Sequence, residues 1–339
     1  MPTASSSSRT LLYVRLPNWL GDVCMCLPII DALLESPQYE LVICARPWAQ
    51  QLLRHYPIRH WVLLKGHTRQ DAKEIKKHRQ YYDDRKAKGL IIPDSFSSAF
   101  IFWWGSIPSA GVRDEGRSFF LRWPFDKPDS SLHTVQYWYE LARLAMQRWQ
   151  TPIQPLHSEQ LELRLPQSTQ SLLPVEYQSG KTVLIAPTAT GKHLGNVKIW
   201  PHFEALTYAL KKRGIHVLMC PPPNEIEQAI ANAPSAYRLE PLPIDQFAQL
   251  CQQVDLVVCN DSGVSHVAAA AQAKQITLFG VTSAARTGPW SKHALCLGEL
   301  NRWPSLTQVL TACLAILSPE SIAEHPSDNS ASHLIPKRL

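Results

Sequence analysis

The chain has 339 residues, of which 45% are hydrophobic, and a formal net charge of +6. This length exceeds the usual size of one domain and predicts two domains, each with its own core. No apolar run reaches the about 20 residues of a membrane helix, and the polar N-terminal segment lacks the apolar core of a signal peptide, so we expect a cytoplasmic protein.

Short apolar runs alternate with helical stretches in the first half of the chain. The runs are "LLYVRL" (11–16), "ELVICA" (40–45), "HWVLLK" (60–65) and "GLIIPD" (89–94). This alternation predicts βαβ units around a parallel sheet, in a domain that spans 11–165 after a disordered tail, 1–10. Residues 14–36 pass from the first strand into one amphipathic helix, and the carboxylate of Asp22 stands at the junction.

The excess of positive charge is confined to the first half. Residues 1–150 contain 20 Lys and Arg against 14 Asp and Glu, whereas residues 151–339 contain 14 of each. The segment 65–88 alone carries 9 basic and 4 acidic side chains. Two interpretations stay open: a solvated helix face, or a docking surface for an anionic partner. Nucleic acid is not expected as that partner, because no recognition motif accompanies the segment.

A second alternation of strands and helices follows a linker rich in Pro, Gln and Ser, which extends to about residue 180. It predicts a second Rossmann-like domain over 181–317, followed by a loose tail, 318–339. The predicted strands are "TVLIAP" (182–187), "IHVLMCPPP" (215–223), "DLVVCN" (255–260) and "QITLFG" (275–280). The eight cysteines are scattered without metal-ligand spacing, so we interpret them as reduced structural residues.

Three polar loops follow predicted strands of this second domain. The loop at 186–201 is not a Walker loop, because the Gly-x-x-x-x-Gly-Lys-Ser/Thr order is absent. At 260–265, free backbone N–H groups of Gly263, Val264 and Ser265 at a helix start would suit a phosphate, although an ordinary helix cap is the alternative. Together with the third loop, 279–290, they indicate a site for a nucleotide diphosphate at the carboxyl edge of the sheet. Their candidate side chains are Thr188, Thr190, Lys192, Lys198, Asp261, Ser262, Thr282, Arg286 and Thr287.

Six motifs, in this order along the chain, resemble the ADP-heptose:lipopolysaccharide heptosyltransferases, and the enzymes that add the second heptose in particular. They are "RLPNWLGD" (15–22), "IPDSFSSAF" (92–100), "GVRDEGR" (111–117), "KIWPHFEAL" (198–206), "NDSGVSHVAAA" (260–270) and "LFG" with "ARTGP" (278–289). The resemblance covers roughly residues 11–317. It implies an α/β fold of the GT-B type, with two Rossmann-like domains facing across a cleft. It also implies inverting transfer of heptose from ADP-heptose to the lipopolysaccharide inner core, without a cofactor or metal ion.

The resemblance further implies roles for individual residues. Asp22 matches the general base and Lys198 the lysine beside the donor phosphates. The acceptor, an anionic glycolipid (Kdo-lipid A with or without its first heptose), would bind the first domain, and the protein would contact the inner membrane surface peripherally. The implied donor-binding residues are Thr188, Thr190, Lys192, Glu225, Asp261, Ser262, Gly263, Val264, His266 and Thr282, with Glu227 as a competitor of Glu225. The expected acceptor-binding residues are Arg15, Asn18, Lys65, Arg69, Lys73, Lys76, Lys77, Arg113 and Arg117.

The chain also departs from the family pattern. The usual Gly-Pro-Thr-Asp-Pro is replaced by "GVTSA" (280–284), and "LEPLPIDQF" (239–247) lacks the usual glycine. A heptosyltransferase with another acceptor, such as a protein, and a non-catalytic nucleotide-sugar-binding homologue therefore stay open. An NAD-dependent dehydrogenase is excluded, because Gly-x-Gly-x-x-Gly does not follow the first strand. For Asp22, the alternative to catalysis is a helix cap. Its position near a helix N-terminus predicts a favoured charged form.

Overall fold

The computed structural model describes residues 9–114, 116–155, 158–166, 170–193 and 196–318. Two six-stranded sheets with helices on their faces make up two α/β domains. The fold class predicted from the sequence is therefore confirmed. The domain bounds stay a prediction.

The first sheet is entirely parallel, with strand order β3-β2-β1-β4-β5-β6. Its central strands are continuous apolar runs because helices cover both faces. The elements of this domain are β1 (Thr10–Arg15), α1 (Leu20–Met25), α2 (Leu27–Leu34), β2 (Tyr39–Ala45), α3 (Pro47–Leu52), β3 (His60–Leu63), α4 (Thr68–Tyr82), β4 (Lys88–Ile91), α5 (Phe96–Trp104), β5 (Ser109–Val112), β6 (Trp123–Phe125) and α6 (Thr134–Arg148).

The second sheet repeats this order as β11-β10-β7-β12-β13-β14, again all parallel. A small antiparallel pair, β8 and β9, lies outside it. The elements are β7 (Thr182–Ala186), β8 (Lys192–His193), β9 (Asn196–Val197), α7 (Phe203–Lys211), β10 (His216–Met219), α8 (Ile226–Asn232), β11 (Tyr237–Arg238), α9 (Ile244–Gln253), β12 (Leu256–Asn260), α10 (Gly263–Ala270), β13 (Gln275–Leu278), α11 (Ala284–Thr287), β14 (Ala294–Leu297) and α12 (Leu306–Leu317).

The prediction of a single helix after β1 is wrong, because the helix there is interrupted. The chain forms two helices, α1 and α2, which meet at Cys26. Pro28 stands in the first turn of α2, where its missing N–H is tolerated, but it could not continue α1 without loss of a helical hydrogen bond. Because of this break, α1, which directly follows the β1–α1 loop, has only six residues.

The two domains are in direct contact through helices. α1 packs on α10, and α3 packs on α9, where Arg54 Nη1 lies 3.1 Å from Asp245 Oδ2. His133, at the start of α6, lies 3.0 Å through Nε2 from the carbonyl oxygen of Gly288. One cluster of buried apolar residues runs through this contact and includes side chains of both sheets.

The segment that follows α6 also bonds to the second domain. Leu165 N donates to Ala270 O at 2.8 Å, and Trp290 Nε1 donates to Leu161 O at 2.7 Å. The segment that connects the domains therefore lies beside the C-terminal end of α10 and is bonded to the second domain at two points.

Candidate active site

Each sheet changes winding direction between two central strands, β1 and β4 in the first domain and β7 and β12 in the second. Ligands of doubly wound sheets bind at the carboxyl ends of such strands. The β1–α1 loop leads to Asp22 in the first domain. In the second, Thr188 follows β7 and Asp261 follows β12.

Asp22 lies in the first turn of α1 and is partly buried. The cap interpretation is wrong, because the N-cap is Trp19 and no side chain caps this helix. The expected preference for the charged form is also wrong: burial raises the pKa of Asp22 to about 6. Within the described residues, no cation lies close enough to form an ion pair with it. Asp22 is therefore a carboxylate that gains a proton more readily than a free one.

Arg15 shapes the loop that carries Asp22. Its guanidinium is buried and donates to Leu16 O and, at 2.8 Å, to Asn18 Oδ1. Burial lowers the pKa of Arg15 to about 10, which leaves it cationic at neutral pH. The contacts make Arg15 a positioning residue for the loop, whereas Asn18 and Trp19 are exposed at the cleft.

The donor side contains a compact polar group around Asp261. Lys198 Nζ lies 2.8 Å from Asp261 Oδ2, and the same oxygen accepts a 2.6 Å hydrogen bond from Thr282 Oγ1. Three predicted loops are thus joined by two contacts. The "GVTSA" sequence keeps the threonine that this arrangement uses.

Two further contacts fix the loop after β7. Asn260 accepts from Trp200 N at 2.9 Å and donates to the carbonyl oxygens of Ala186 and Thr188. Thr188 Oγ1 donates to the carboxylate of Glu225, which is partly buried, whereas Glu227 is exposed. Glu225 rather than Glu227 therefore belongs to this group.

The start of α10 differs in part from the prediction. Ser262 is its N-cap, and its hydroxyl accepts from Val264 N at 3.3 Å, while Ser265 N bonds to Ser262 O. The N–H groups of Val264 and Ser265 are therefore not free, which corrects the prediction for these two. The Cα of Gly263 faces Leu20: a β-carbon there would lie 3.1 Å from Leu20 Cδ2.

His266 lies one turn into α10, against α1. A β-carbon on Gly21 would come within 2.4 Å of its ring, so the two helices approach closely because residue 21 is glycine. Burial lowers the pKa of His266 to about 4, partly offset by the nearby charge of Asp261. The imidazole is therefore neutral at physiological pH, and it is a weaker candidate base than Asp22.

A cleft of about 620 Å³ opens beside this contact. Its walls come from the β1–α1 loop, the start of α3 and the start of α9. The lining residues are Asn18, Trp19, Leu20, Arg46, Trp48 and Ile244. Sequence reasoning missed Arg46, Trp48 and Ile244. For Arg46 a signal existed, since it directly follows a strand.

The predicted acceptor-binding cations divide into six that are exposed and two that are buried, Arg15 and Arg117, so the prediction is corrected for both buried residues. Five are exposed on α4 or just before it, and Arg113 is exposed and pairs with Asp126 at 3.3 Å. Arg117 is a correction: it is completely buried, and its Nη1 donates to Pro93 O at 2.8 Å. It cannot meet an acceptor in this conformation. The five cations are Lys65, Arg69, Lys73, Lys76 and Lys77.

Two predicted donor residues are not joined to this group. Thr190 is exposed. Lys192 begins β8, and its side chain lies outside the described residues. Within the described part of the chain, no group of three or more His, Cys, Asp or Glu side chains could hold a metal ion.

The two Rossmann-like domains, with Asp22 in the first and the Lys198–Asp261 pair in the second, have the architecture of a GT-B type protein. Residues 77–314 match glycosyltransferase family 9 (heptosyltransferase). The chain belongs to this family and is a glycosyltransferase.

Named relatives agree with this assignment. The chain is 27% identical over 320 residues to lipooligosaccharide heptosyltransferase 2 of Haemophilus influenzae, covering 84% of this chain and 88% of the relative. The solved structure of Escherichia coli ADP-heptose lipopolysaccharide heptosyltransferase II superposes with a TM-score of 0.72 at 23% identity, over 92% of this chain and 100% of the other. The Escherichia coli heptosyltransferase WaaC, solved with ADP, gives 0.69 at 17% identity, over 91% and 100%.

Proposed function

We propose that this glycosyltransferase moves a heptose from ADP-heptose to the inner core of lipopolysaccharide, with inversion at the anomeric carbon and without a metal ion. One observation carries the proposal. The first turns of α1 and α10 are in contact, which brings Asp22 to the helix end that holds Asp261 and, through it, Lys198.

The proposed chemistry assigns one step to each domain. As the acceptor hydroxyl oxygen bonds to the anomeric carbon, Asp22 takes its proton; with a pKa of about 6 the carboxylate is mostly ionised at neutral pH. The bond from the anomeric carbon to the diphosphate breaks on the opposite face. The ammonium of Lys198 then stabilises the negative charge that develops on the departing ADP.

The proposed donor site follows from the polar contacts of the second domain. Thr188 and Glu225 lie together at the carboxyl ends of β7 and β10, where a carboxylate could accept hydrogen bonds from ribose hydroxyls. Thr282 and Asp261 orient Lys198 toward the diphosphate. The names of relatives, heptosyltransferase 2 and a heptosyltransferase solved with ADP, support this donor.

The proposed acceptor side is cationic. Arg46 lines the cleft beside Asn18, and the exposed cations of α4 extend the positive surface away from it. This charge suits a phosphorylated, carboxylate-rich glycolipid. The proposal carries with it a cytoplasmic location and a peripheral contact with the inner membrane. Among the described residues, no helix combines the length and the apolarity needed to cross a bilayer.

A mass-spectrometric assay tests the proposal. Purified protein, ADP-heptose and a panel of truncated core acceptors should yield one heptosylated glycolipid, and Asp22→Asn should yield almost none. Transfer to a protein acceptor alone would favour the alternative acceptor class. Binding of ADP-heptose without turnover on any acceptor would favour a non-catalytic homologue.

A further inference from the structure

α5 is apolar except at Ser97 and Ser98, although only one side of the helix is covered. Its buried face consists of Ser98, Ala99, Ile101 and Phe102. The opposite face carries aromatic rings at i, i+4, i+7 and i+8, which places them on one stripe. Trp103 is 49% exposed and Phe96 is 46% exposed. A helix that is apolar nearly all round is normally enclosed on all sides, and the described residues enclose this one on one side only.

A short turn widens this stripe into a patch. In the 3-10 turn Arg117–Phe120, Phe119 is 78% exposed, and the ring of Phe120 lies 5.1 Å from that of Phe96 and 5.2 Å from that of Trp103. We call the six rings the aromatic patch. Single exposed apolar residues are ordinary, but a contiguous group marks an interaction surface. Its members are Phe96, Phe100, Trp103, Trp104, Phe119 and Phe120.

The buried Arg117 holds the two parts of the patch together. Its bond to Pro93 O ties the turn to the loop that precedes α5, and Gly111 leaves the space that its guanidinium occupies. The two parts of the patch are therefore already joined before any partner arrives and need not be assembled when it docks.

A basic helix lies directly beside the patch. α4 packs on α5, where Ile75 meets Gly105 so closely that a β-carbon on the glycine would lie 2.4 Å from Ile75 Cγ2. Arg69, Lys73 and Lys76 follow each other at i, i+4 and i+7 along α4 and form a basic stripe. All three are exposed, and within the described residues none forms an ion pair.

We infer that the aromatic patch and the basic stripe together dock onto the surface of an anionic phospholipid bilayer. Trp and Phe rings insert at the level of the lipid headgroups, and neighbouring lysines and arginines are attracted to anionic lipids. A second copy of this chain fits the surface less well, because face-to-face pairing would bring two basic stripes together. The observations thus favour lipid over self-association.

This inference deepens the proposed function and takes its biological meaning from it, since the proposed acceptor is a membrane glycolipid. α5 starts just after the carboxyl end of β4, the edge of the sheet that also carries the β1–α1 loop. Docking through the patch would therefore hold the cleft near the bilayer. The measurement of docking itself requires neither donor nor acceptor, so either proposal can fail while the other stands.

Vesicle flotation tests the aromatic part. The full chain should bind vesicles of phosphatidylcholine and phosphatidylglycerol in equal parts, and Trp103→Ala with Phe119→Ala should lower the partition coefficient by about tenfold or more. Phe119→Ala alone should lower the partition coefficient measurably. Because Phe119 is exposed, this substitution should not disturb folding. Tyr208→Ala is the matched control, because Tyr208 is an exposed aromatic residue (66%) on α7 of the other domain.

Charge reversal tests the basic part. Lys73→Glu with Lys76→Glu should reduce binding to the anionic vesicles by about 25-fold or more, since each cation near such a surface contributes about fivefold. The loss should shrink as salt rises, and binding to pure phosphatidylcholine should not change. Lys212→Glu, an exposed lysine beyond α7, should have no effect.

Two outcomes would overturn the inference. In the first, the unmodified chain fails to float with anionic vesicles; a dimer in sedimentation velocity that Phe119→Ala dissociates would then assign the patch to self-association. In the second, the aromatic variants and the basic-stripe variants all float as well as the controls. The activity of the aromatic variants on a water-soluble, acyl-free acceptor should equal that of the unmodified chain. Suppose instead that flotation follows the predicted pattern while neither the unmodified chain nor any variant transfers heptose in that assay. In that case the proposed function fails and the docking surface stands.

Discussion

Asp22 illustrates how burial sets the chemistry of a single carboxylate. Its place in the first turn of α1 would favour the ionised form, yet desolvation is stronger and raises its pKa to about 6. A base with a pKa near the working pH combines a high ionised fraction with a stronger pull on the proton. The residue is therefore better suited to proton transfer than an exposed aspartate would be.

Replacement of Asp22 by Asn removes the proton-accepting oxygen but keeps the size of the side chain. The kcat for heptose transfer should fall by about 10² to 10⁴, the usual contribution of general base catalysis. ADP affinity, measured by calorimetry, should stay close to wild type. An Asn variant that transfers heptose at nearly the wild-type rate would exclude Asp22 as the base.

The raised pKa also predicts a pH dependence. Protonated Asp22 cannot act as a base, so kcat/KM should fall tenfold per pH unit below about pH 6 in the wild type. The residual activity of Asp22→Asn should lack this limb. A wild-type profile that stays flat down to pH 4.5 would contradict the assignment.

Stability should respond to pH in the opposite sense. Because the folded pKa lies above the unfolded one, the native state favours protonated Asp22: the stabilisation is complete below the unfolded pKa of 3.8 and is lost as pH rises through about 6. At pH 7.5, therefore, Asp22→Asn should raise the free energy of unfolding, by on the order of 1 to 3 kcal/mol. Denaturant titrations at pH 7.5 and 4 measure the difference, which should be much smaller at the lower pH. A less stable Asn variant at pH 7.5 would show that the carboxylate has a structural role.

Lys198, unlike Asp22, forms an ion pair, in which Asp261 is its partner. Lys198→Ala should weaken ADP-heptose binding and lower kcat, because charge on the departing ADP loses its ammonium. Lys212→Ala provides a control for the loss of one positive charge.

EDTA should leave wild-type transfer intact. If EDTA abolishes the activity and Mg²⁺ or Mn²⁺ restores it, the metal-free mechanism is wrong.

At the scale of elements, the contact between α1 and α10 depends on glycine. Gly21→Ala would place a β-carbon within 2.4 Å of the buried His266 ring, so we expect a loss of about 1 to 3 kcal/mol in the free energy of unfolding. Gly191→Ala is the control, because nothing lies within 4 Å of its added β-carbon. Equal melting temperatures for the two variants would show that the contact between α1 and α10 accommodates the added β-carbon without loss of stability.

The same scale shows which elements could be predicted from the sequence. Strands β1, β2, β7 and β12 lie in strongly apolar runs and were predicted correctly. Strands β5, β6, β11 and β14 were missed, because each has only two to four residues and β6 contains Pro124. Such short strands depend on pairing with a neighbour, which local sequence does not encode.

The candidate site was predictable to a similar degree. Asp22, Lys198, Asp261 and Thr282 occur in motifs at strand ends, and the structure gathers the last three. The role of Arg117 was not predictable, because a buried arginine and an acceptor-binding arginine look alike in sequence. Only the fold shows that its guanidinium points inward, at Pro93 O.

At the scale of the whole molecule, the uneven charge should affect one substrate and not the other. Reversal of Lys73, Lys76 and Lys77 to Glu should raise the KM for the anionic acceptor, and the increase should shrink as salt rises, because screening acts over about 8 Å at physiological ionic strength. ADP affinity in calorimetry should be unchanged, since these lysines belong to the other domain. An equal loss of ADP affinity would show that these lysines do not act on the acceptor alone.

The buried cluster that runs from one sheet to the other limits how the cleft can open. If the domains hinged apart, apolar side chains at this contact, such as Leu20 against Gly263, would become exposed to water, at about 25 cal/mol per Å². A small sliding movement of α1 along α10 would keep them covered, although the His266 ring at Gly21 and the Leu20 side chain at Gly263 limit its length. Substrate entry and ADP release should therefore proceed by shear between the domains, with an apolar contact that is never fully broken.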